Sequence, residues 1–159
     1  MLGIKKFDGV LSKIIKSETG IKKVILVDRT GLTIAHVSKF SYYPVDVDGI
    51  GAIASAVFCA SEEQGKNLDI GGLQIVTSEF GNGKIFASSC GRGVLCVITD
   101  PDASIGMVRL VMKKASDDLS KMLDEFLSER PDVSIPAEDK ATSIEKDELE
   151  AALRELEKF

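Results

Sequence analysis

The stretch GGLQIVTSEFGNGKIFASSCGRGVLCVITDPDASIGMVRL (residues 71–110) decides the fold. Its apolar residues predict three consecutive strands, over residues 73–79, 84–90 and 94–99. Two short glycine segments, FGNG and GRG, separate the strands and predict tight turns. Asp100, Pro101 and Asp102 then predict the start of a helix, since proline and acidic side chains favour the first helical turn. We expect that helix to end before Pro131.

An earlier segment, VILVDRTGLTIAHV (residues 24–37), predicts a hairpin that precedes these three strands. The run from Val24 to Val27 is wholly apolar, which is typical of a strand buried on both faces. Asp28 and Gly31 are turn residues, because aspartate bonds to the backbone ahead of it and glycine tolerates positive φ. The chain is therefore expected to return as a second strand.

Helical periodicity completes the predicted order of elements. An N-terminal apolar stripe comprises Ile4, Phe7, Leu11, Ile14 and Ile15. A second helix, expected over about residues 48–66, begins beside Asp46 and Asp48, whose carboxylates suit a helix N-terminus. The resulting order is α-ββ-α-βββ-α. We predict an α/β fold with a five-stranded, mostly antiparallel sheet and a C-terminal amphipathic helix.

The C-terminal region differs in composition from the rest of the chain. Residues 130–141 (RPDVSIPAEDKA) are rich in proline and charge, as expected of a linker between a domain over residues 1–129 and a terminal segment over 142–159. Thr142 and Glu145 form a capping box that predicts a helix start. Its apolar stripe consists of Leu149, Ala152, Leu153, Leu156 and Phe159. A helix this short is marginal alone in water, so we expect it to bind a partner or the domain, or to fray.

Composition and charge argue against a membrane-spanning, a secreted and a nucleic-acid-binding protein. Residues 1–23 contain six lysines, but they lack the aromatic residues or the recognition motif that nucleic-acid binding requires, so no nucleic-acid partner is expected. The chain has 159 residues, a net charge of −5 and three cysteines. Residues 129–159 contain ten acidic and five basic residues and so carry the whole net charge of the chain, while residues 1–128 have a net charge of zero. No apolar run is long enough to cross a bilayer, and the N-terminus lacks the features of a signal peptide. Cys59, Cys90 and Cys96 form no CxxC pair, which favours reduced thiols in a cytoplasmic protein.

No sequence motif indicates catalysis or cofactor binding. The segment GNGK lacks the first glycine and the final serine or threonine of a phosphate-binding loop. Asp46 and Asp48 lack the further acidic ligands of a calcium loop, so helix capping is the better interpretation. His36 has no nucleophile pattern near it, and Arg92 and Arg109 are single arginines for which solvated roles are expected. We therefore predict no catalytic residue, no metal and no cofactor.

With these sequences in this order, the chain resembles the Roadblock (dynein light chain) family over about residues 3–128. The similarity is carried by the first hairpin, VILVDRTGLTIAH, by the small-residue helix after Asp48, and by the last three strands with the helix that follows. Its most specific part is the closing pattern, an apolar strand followed by Asp100, Ala103, Ile105, Gly106 and Arg109. This resemblance implies a non-enzymatic protein that forms a homodimer, or a heterodimer with another Roadblock protein.

The resemblance also implies where the dimer interface lies. In this family the third strands of two protomers pair into one continuous sheet, and their second helices pack on each other. An edge strand must be covered or paired, and a helix of small side chains suits close packing across a twofold axis. The implied interface residues are Gly49, Ala52, Ile53, Ala56, Ala60, Leu73, Gln74, Ile75 and Val76.

The family further implies a small Ras-like GTPase as partner, which its members scaffold or whose nucleotide cycle they tune. Its bacterial regulators of polarity and gliding carry C-terminal extensions that contact the GTPase. The segment over 142–159 is comparable in kind, so Leu149, Leu153, Leu156 and Phe159 are candidate partner-binding residues. The alternative is a profilin-like or GAF-like domain that senses a small ligand. Its signature would be a polar-lined cavity between sheet and helix.

Overall fold

The structure, a computed structural model, describes residues 2–39, 46–128 and 150–156. Its helices are α1 (Leu2–Ser17), α2 (Val47–Asn67) and α3 (Ile105–Ser128). Its strands are β1 (Ile21–Asp28), β2 (Thr33–Ser38), β3 (Ile75–Phe80), β4 (Gly83–Cys90) and β5 (Gly93–Thr99). The predicted order α-ββ-α-βββ-α is thus confirmed.

The five strands form one antiparallel sheet in the order β2-β1-β5-β4-β3. β5 is central, and β1 lies between β2 and β5. Val24, Ile25, Leu26 and Val27 are all buried, as expected for an interior strand. Within the described part of the chain, β3 pairs only with β4, so its other side forms an edge of the sheet.

Helices cover both faces of the sheet. Alternate residues of the strands point to opposite faces, which divides the core into two clusters. On one face, α1 and α3 pack Phe7, Leu11, Met112 and Leu119 against strand residues that include Phe86. The other face carries α2, whose Ala54 and Phe58 pack among strand residues: Ile25, Val27, Ala87, Val94 and Cys96.

The small residues of α2 allow it to lie close to the sheet. A Cβ atom on Gly51 would come within 2.6 Å of Val27 Cγ1. The buried Ser55 hydroxyl donates to the carbonyl oxygens of Asp28 at 3.2 Å and Arg29 at 3.3 Å. At its start, Asp46 Oδ1 accepts a hydrogen bond of 3.0 Å from Gly49 N–H, which confirms the predicted cap.

Two predicted boundaries were wrong. α3 begins at Ile105 rather than at Asp100, because Asp100 Oδ1 accepts from Asp102 N–H at 3.1 Å in a separate turn. Ser104 Oγ then accepts from Met107 N–H at 3.4 Å and caps the helix. β3 covers Ile75–Phe80 rather than residues 73–79, since its register begins at the pair Ile75 and Ser88.

The chain divides into two compact units, Met1–Leu127 and Ser128–Phe159. The first contains the sheet with α1, α2 and nearly all of α3. In the second, residues 150–156 are helical, as predicted for the terminal segment. The predicted linker over residues 130–141 and the capping box from Thr142 to Glu145 lie outside the described residues.

Candidate functional site

The outward face of α2 carries most of the predicted interface residues. Ala52, Ile53, Ala56 and Ala60 are exposed, and Gly49 is half-buried. Ile53 is 67% exposed, although it is a large apolar side chain in the middle of a helix. The outward face of α2 therefore consists of small or apolar side chains, which suits contact with another protein rather than with water.

An apolar groove joins this face of α2 to the edge strand β3. It has a volume of about 210 Å³. It is lined by Ile50, Ile53, Ala54, Val57, Val76, Ser78, Phe80, Ile85 and Ala87. We call this feature the α2–β3 groove. It brings together two predicted interface residues, Ile53 and Val76, from elements that are separate in sequence.

The remaining predicted residues of the third strand lie elsewhere. Gln74 and Ile75 line a different groove, which α3 borders on the opposite face of the sheet. Leu73 also lines that groove and packs against the cluster under α2, while Leu73 and Gln74 both precede the first residue of β3. Predicted interface residues from this region are thus divided between two faces.

Sequence reasoning missed two exposed residues of the α2–β3 groove, Val57 and Phe80, which are 43% and 59% exposed. Val57 follows Ile53 by one helical turn, so helical spacing was a usable signal for it. Phe80 was assigned to a turn, and the structure instead pairs it with Gly83 as the last residue of β3.

An arginine network next to α2 was also missed. Arg29 forms an ion pair with Glu62 at 2.8 Å and donates to Gly91 O at 3.3 Å and to Ser89 Oγ at 3.2 Å. Its guanidinium lies 5.9 Å from the centroid of the Phe58 ring. These contacts connect the β1–β2 turn, α2 and the β4–β5 hairpin, so Arg29 has a structural role.

The described residues provide little for metal or thiol chemistry. No group of three or more His, Cys, Asp and Glu side chains in this part of the chain is arranged to hold a metal ion. Burial raises the pKa of Cys96 to about 12. Burial likewise raises the pKa of Cys90 to about 12, although the positive charge of Arg29 acts in the opposite direction. Both thiols are therefore protonated and unreactive at neutral pH.

Two of the candidate partner-binding residues are described, and both expose apolar surface. Leu153 is 52% exposed and Leu156 is 71% exposed, on the helix formed by residues 150–156. Leu149 and Phe159 lie outside the described residues. No helix in the described ranges is both long and apolar enough to cross a membrane.

Comparisons with known proteins agree with this geometry. A sequence profile of the Roadblock/LC7 domain matches residues 8–99. The uncharacterized protein MJ0310 of Methanocaldococcus jannaschii is 36% identical over 115 residues, which cover 72% of this chain and 97% of that protein. Among solved structures, Myxococcus xanthus MglB has a TM-score of 0.69 and 27% identity, covering 77% of this chain and 90% of that one. The gliding protein MglB of Thermus thermophilus has a TM-score of 0.71 and 20% identity, with 79% and 93% covered.

Proposed function

The chain belongs to the Roadblock/LC7 family, and on that premise we propose that it is a non-enzymatic, homodimeric interaction module that binds and regulates a small Ras-like GTPase. The observation that carries the proposal is the α2–β3 groove beside the edge strand. The family resemblance supplies the expected partner, and the groove supplies a surface for assembly.

The dimer is supported by three properties of one surface. The outward face of α2 consists of small or apolar side chains, the α2–β3 groove is almost wholly apolar, and β3 offers backbone groups that β4 does not use. Adjacent apolar surface and an edge strand favour pairing with another chain. In a second copy of this protein the same surface is available, so a twofold arrangement satisfies both protomers.

The GTPase role rests on the family and on the terminal helix. Members of the family scaffold small Ras-like GTPases or tune their nucleotide cycle, which requires no catalytic residue from the Roadblock domain itself. Leu153 and Leu156 expose apolar surface that a partner can cover. An MglB protein with the same fold forms a tetrameric arrangement, which supports the proposal that this protein also assembles with copies of itself.

The dimer is tested by Ala56→Arg, which places a charge on the outward face of α2. A buried, unpaired charge is strongly unfavourable, so we expect the dimer dissociation constant to rise by a factor on the order of 100. Gly9→Arg is the matched control, because Gly9 is exposed on α1, on the other face of the sheet. Light scattering should give monomer mass for Ala56→Arg and dimer mass for the control. A wild-type protein that is monomeric at micromolar concentration contradicts the dimer.

The GTPase role is tested by a pull-down with small GTPases from the source organism, each loaded with GDP or with a GTP analogue that is not hydrolysed. We expect one GTPase to bind in a manner that depends on its nucleotide. Binding that ignores the nucleotide, together with a small molecule that co-purifies with the protein, would favour the ligand-sensing alternative instead.

A further inference from the structure

The outward side of α1 carries a stripe of lysines. Lys5, Lys6, Lys13 and Lys16 are all exposed. At 3.6 residues per turn, these four positions fall within roughly 100° of arc around the helix axis. That arc lies opposite the buried stripe of α1, which is centred near Leu11. The helix therefore presents its apolar side to the core and a row of ammonium groups to the surroundings.

Two further lysines extend this stripe at the end of the sheet. Lys22 on β1 and Lys39 after β2 are both exposed, and Lys39 N–H donates to Lys22 O at 2.9 Å. Lys22 lies two residues before Val24, which packs in the cluster that α1 covers, so strand alternation places Lys22 on the same side of the sheet as α1. Lys39 Nζ donates to Thr19 O at 3.0 Å, which holds it beside the end of α1. We call these six residues the lysine surface: Lys5, Lys6, Lys13, Lys16, Lys22 and Lys39.

The lysine surface is positive although the domain as a whole is neutral. Asp8 and Glu18 lie next to it in sequence, and Asp100 lies next to Gly20. With these three acids, the net charge of the region is +3. Since residues 1–128 have a net charge of zero, the rest of the domain carries −3. None of the six lysines forms an ion pair with another residue in the described part of the chain, so their charge is available to a partner.

The chemistry of the lysine surface fits an anionic lipid surface better than a protein or a nucleic acid. Over residues 5–23 no large apolar side chain is exposed, so the apolar anchors of a protein interface are missing. The same residues contain no arginine, and their one aromatic residue, Phe7, is buried, so they offer neither forked donors nor stacking surfaces to a nucleic acid. Lysine is a compact charge on a flexible stem, which suits a layer of headgroups that has no fixed geometry.

We propose that the lysine surface binds an anionic lipid membrane by electrostatic attraction to its headgroups, without insertion into the bilayer. Between Lys5 and Lys16 the stripe extends over about 17 Å, so several headgroups can be contacted at once. Antiparallel pairing of two β3 strands across a twofold axis keeps equivalent sheet faces on one side, so in the proposed dimer both lysine surfaces can meet the same membrane. Each protomer has a complete lysine surface. The proposal therefore goes beyond the proposed GTPase function and does not depend on it.

The test is cosedimentation of the full-length protein, without any GTPase, with vesicles of phosphatidylcholine that contain about one-third phosphatidylserine. We expect binding to these vesicles and no measurable binding to vesicles of phosphatidylcholine alone. Affinity should fall at least about 10-fold when the salt concentration rises from about 0.1 M to about 0.5 M, because salt screens the attraction. Each lysine near an anionic surface contributes about 5-fold in affinity, so the double variant Lys13→Gln and Lys16→Gln should bind at least about 10-fold more weakly.

Lys66→Gln is the matched control for Lys16→Gln, since Lys66 is exposed on α2, which covers the other face of the sheet. It removes the same charge and should weaken vesicle binding by less than about 2-fold, against about 5-fold for Lys16→Gln. Three results overturn the proposal: no binding to phosphatidylserine vesicles at about 0.1 M salt, equal binding to both kinds of vesicle, or equal effects of the two variants. Binding to a DNA duplex or to polyglutamate, without binding to vesicles, would also overturn it and would assign the lysine surface to a nucleic acid or to an acidic protein.

Discussion

Asp69 has a left-handed backbone conformation, with φ of 52°, directly after α2. Its N–H donates to Lys66 O at 3.1 Å, and Ile70 N–H donates to Gly65 O at 3.1 Å. These two bonds form the helix ending that usually has glycine at this position. A side chain in this conformation is strained by roughly 1–2 kcal/mol, although aspartate tolerates it better than most residues.

Replacement of Asp69 should raise or lower the free energy of unfolding, depending on whether the new side chain tolerates the left-handed conformation. Asp69→Gly removes the strain and should raise the free energy of unfolding by about 0.5–1 kcal/mol. Asp69→Val places a β-branched side chain in the same conformation and should lower it by about 1–2 kcal/mol. Urea unfolding at one fixed protein concentration measures both variants. Equal midpoints for the two would show that residue 69 does not have this conformation in solution.

Because of Cys90 and Cys96, the free energy of unfolding should fall as the pH becomes alkaline. Burial raises the pKa of each from an ordinary value of 9.0 to about 12. Above pH 9 the unfolded chain loses these protons while the folded protein keeps them, so the unfolded state gains relative stability. The stabilisation from the buried thiols is therefore complete below about pH 9 and is lost as the pH rises to about 12.

Between neutrality and about pH 10 the loss should total roughly 1.4 kcal/mol for each thiol, and its slope should approach roughly 1.4 kcal/mol per pH unit only at the upper end of that range. Urea unfolding at a series of pH values between neutrality and about pH 10 measures it. The double variant Cys90→Ala and Cys96→Ala should be less stable at neutral pH but show a shallower decline. If its decline is as steep as that of the wild type, other groups cause the pH dependence.

At the scale of elements, α2 illustrates how glycine determines packing distance. Gly51 faces the sheet, where an added Cβ would lie 2.6 Å from Val27 Cγ1 and 3.3 Å from Thr33 Oγ1. Val27 is fully buried, so it has little space to move. Gly9 on α1 is the opposite case, with no atom within 4 Å of an added Cβ.

The same substitution should therefore have opposite effects in the two helices. Gly51→Ala should lower the free energy of unfolding by about 1–2 kcal/mol, because overpacking outweighs the better helix propensity of alanine. Gly9→Ala should raise it by up to about 1 kcal/mol through propensity alone. Thermal unfolding of both variants beside the wild type tests the pair. Stabilisation by Gly51→Ala would mean that α2 lies further from the sheet than these distances indicate.

Periodicity predicted the elements better than their ends. The apolar run from Val24 to Val27 predicts a strand, and the apolar stripe of α3 predicts a helix. Each pattern extends over several residues, so the type of element was clear from the sequence. Boundaries depend on single hydrogen bonds. The bond from Asp102 N–H to Asp100 Oδ1 closes a turn that proline and acidic residues also favour, and only the structure distinguishes that turn from a helix start.

For the whole molecule, the surface grooves were harder to predict from the sequence than the order of helices and strands. The position of β3 at an edge was expected from the family, and the structure confirms it. The α2–β3 groove combines residues from separate elements, such as Ile53 with Phe80. No local pattern records such pairs, since they depend on how far each helix lies from the sheet.

The domain and its terminal segment differ in net charge. Residues 129–159 carry ten acidic and five basic residues, and the net of −5 equals that of the whole chain. Within this segment, residues 150–156 form a helix that exposes Leu153 and Leu156. An isolated short helix is marginal in water, so its apolar stripe gains stability only when something covers it. We infer that the proposed GTPase covers it.

Truncation after Ala141 tests that inference against two alternatives, docking on the domain and a simple solvated tail. The truncated protein should keep the dimer mass and melting temperature of the full chain, because the core clusters of the described residues contain none beyond Phe126. It should bind the GTPase at least about 10-fold more weakly, or change its nucleotide exchange rate, since burial of even one leucine contributes about 1.5–3 kcal/mol. Within the full chain, Leu153→Glu should reproduce the loss, while the exposed Glu155→Gln should not. A lower melting temperature would assign the segment to the domain, and unchanged binding and exchange would leave it a solvated tail.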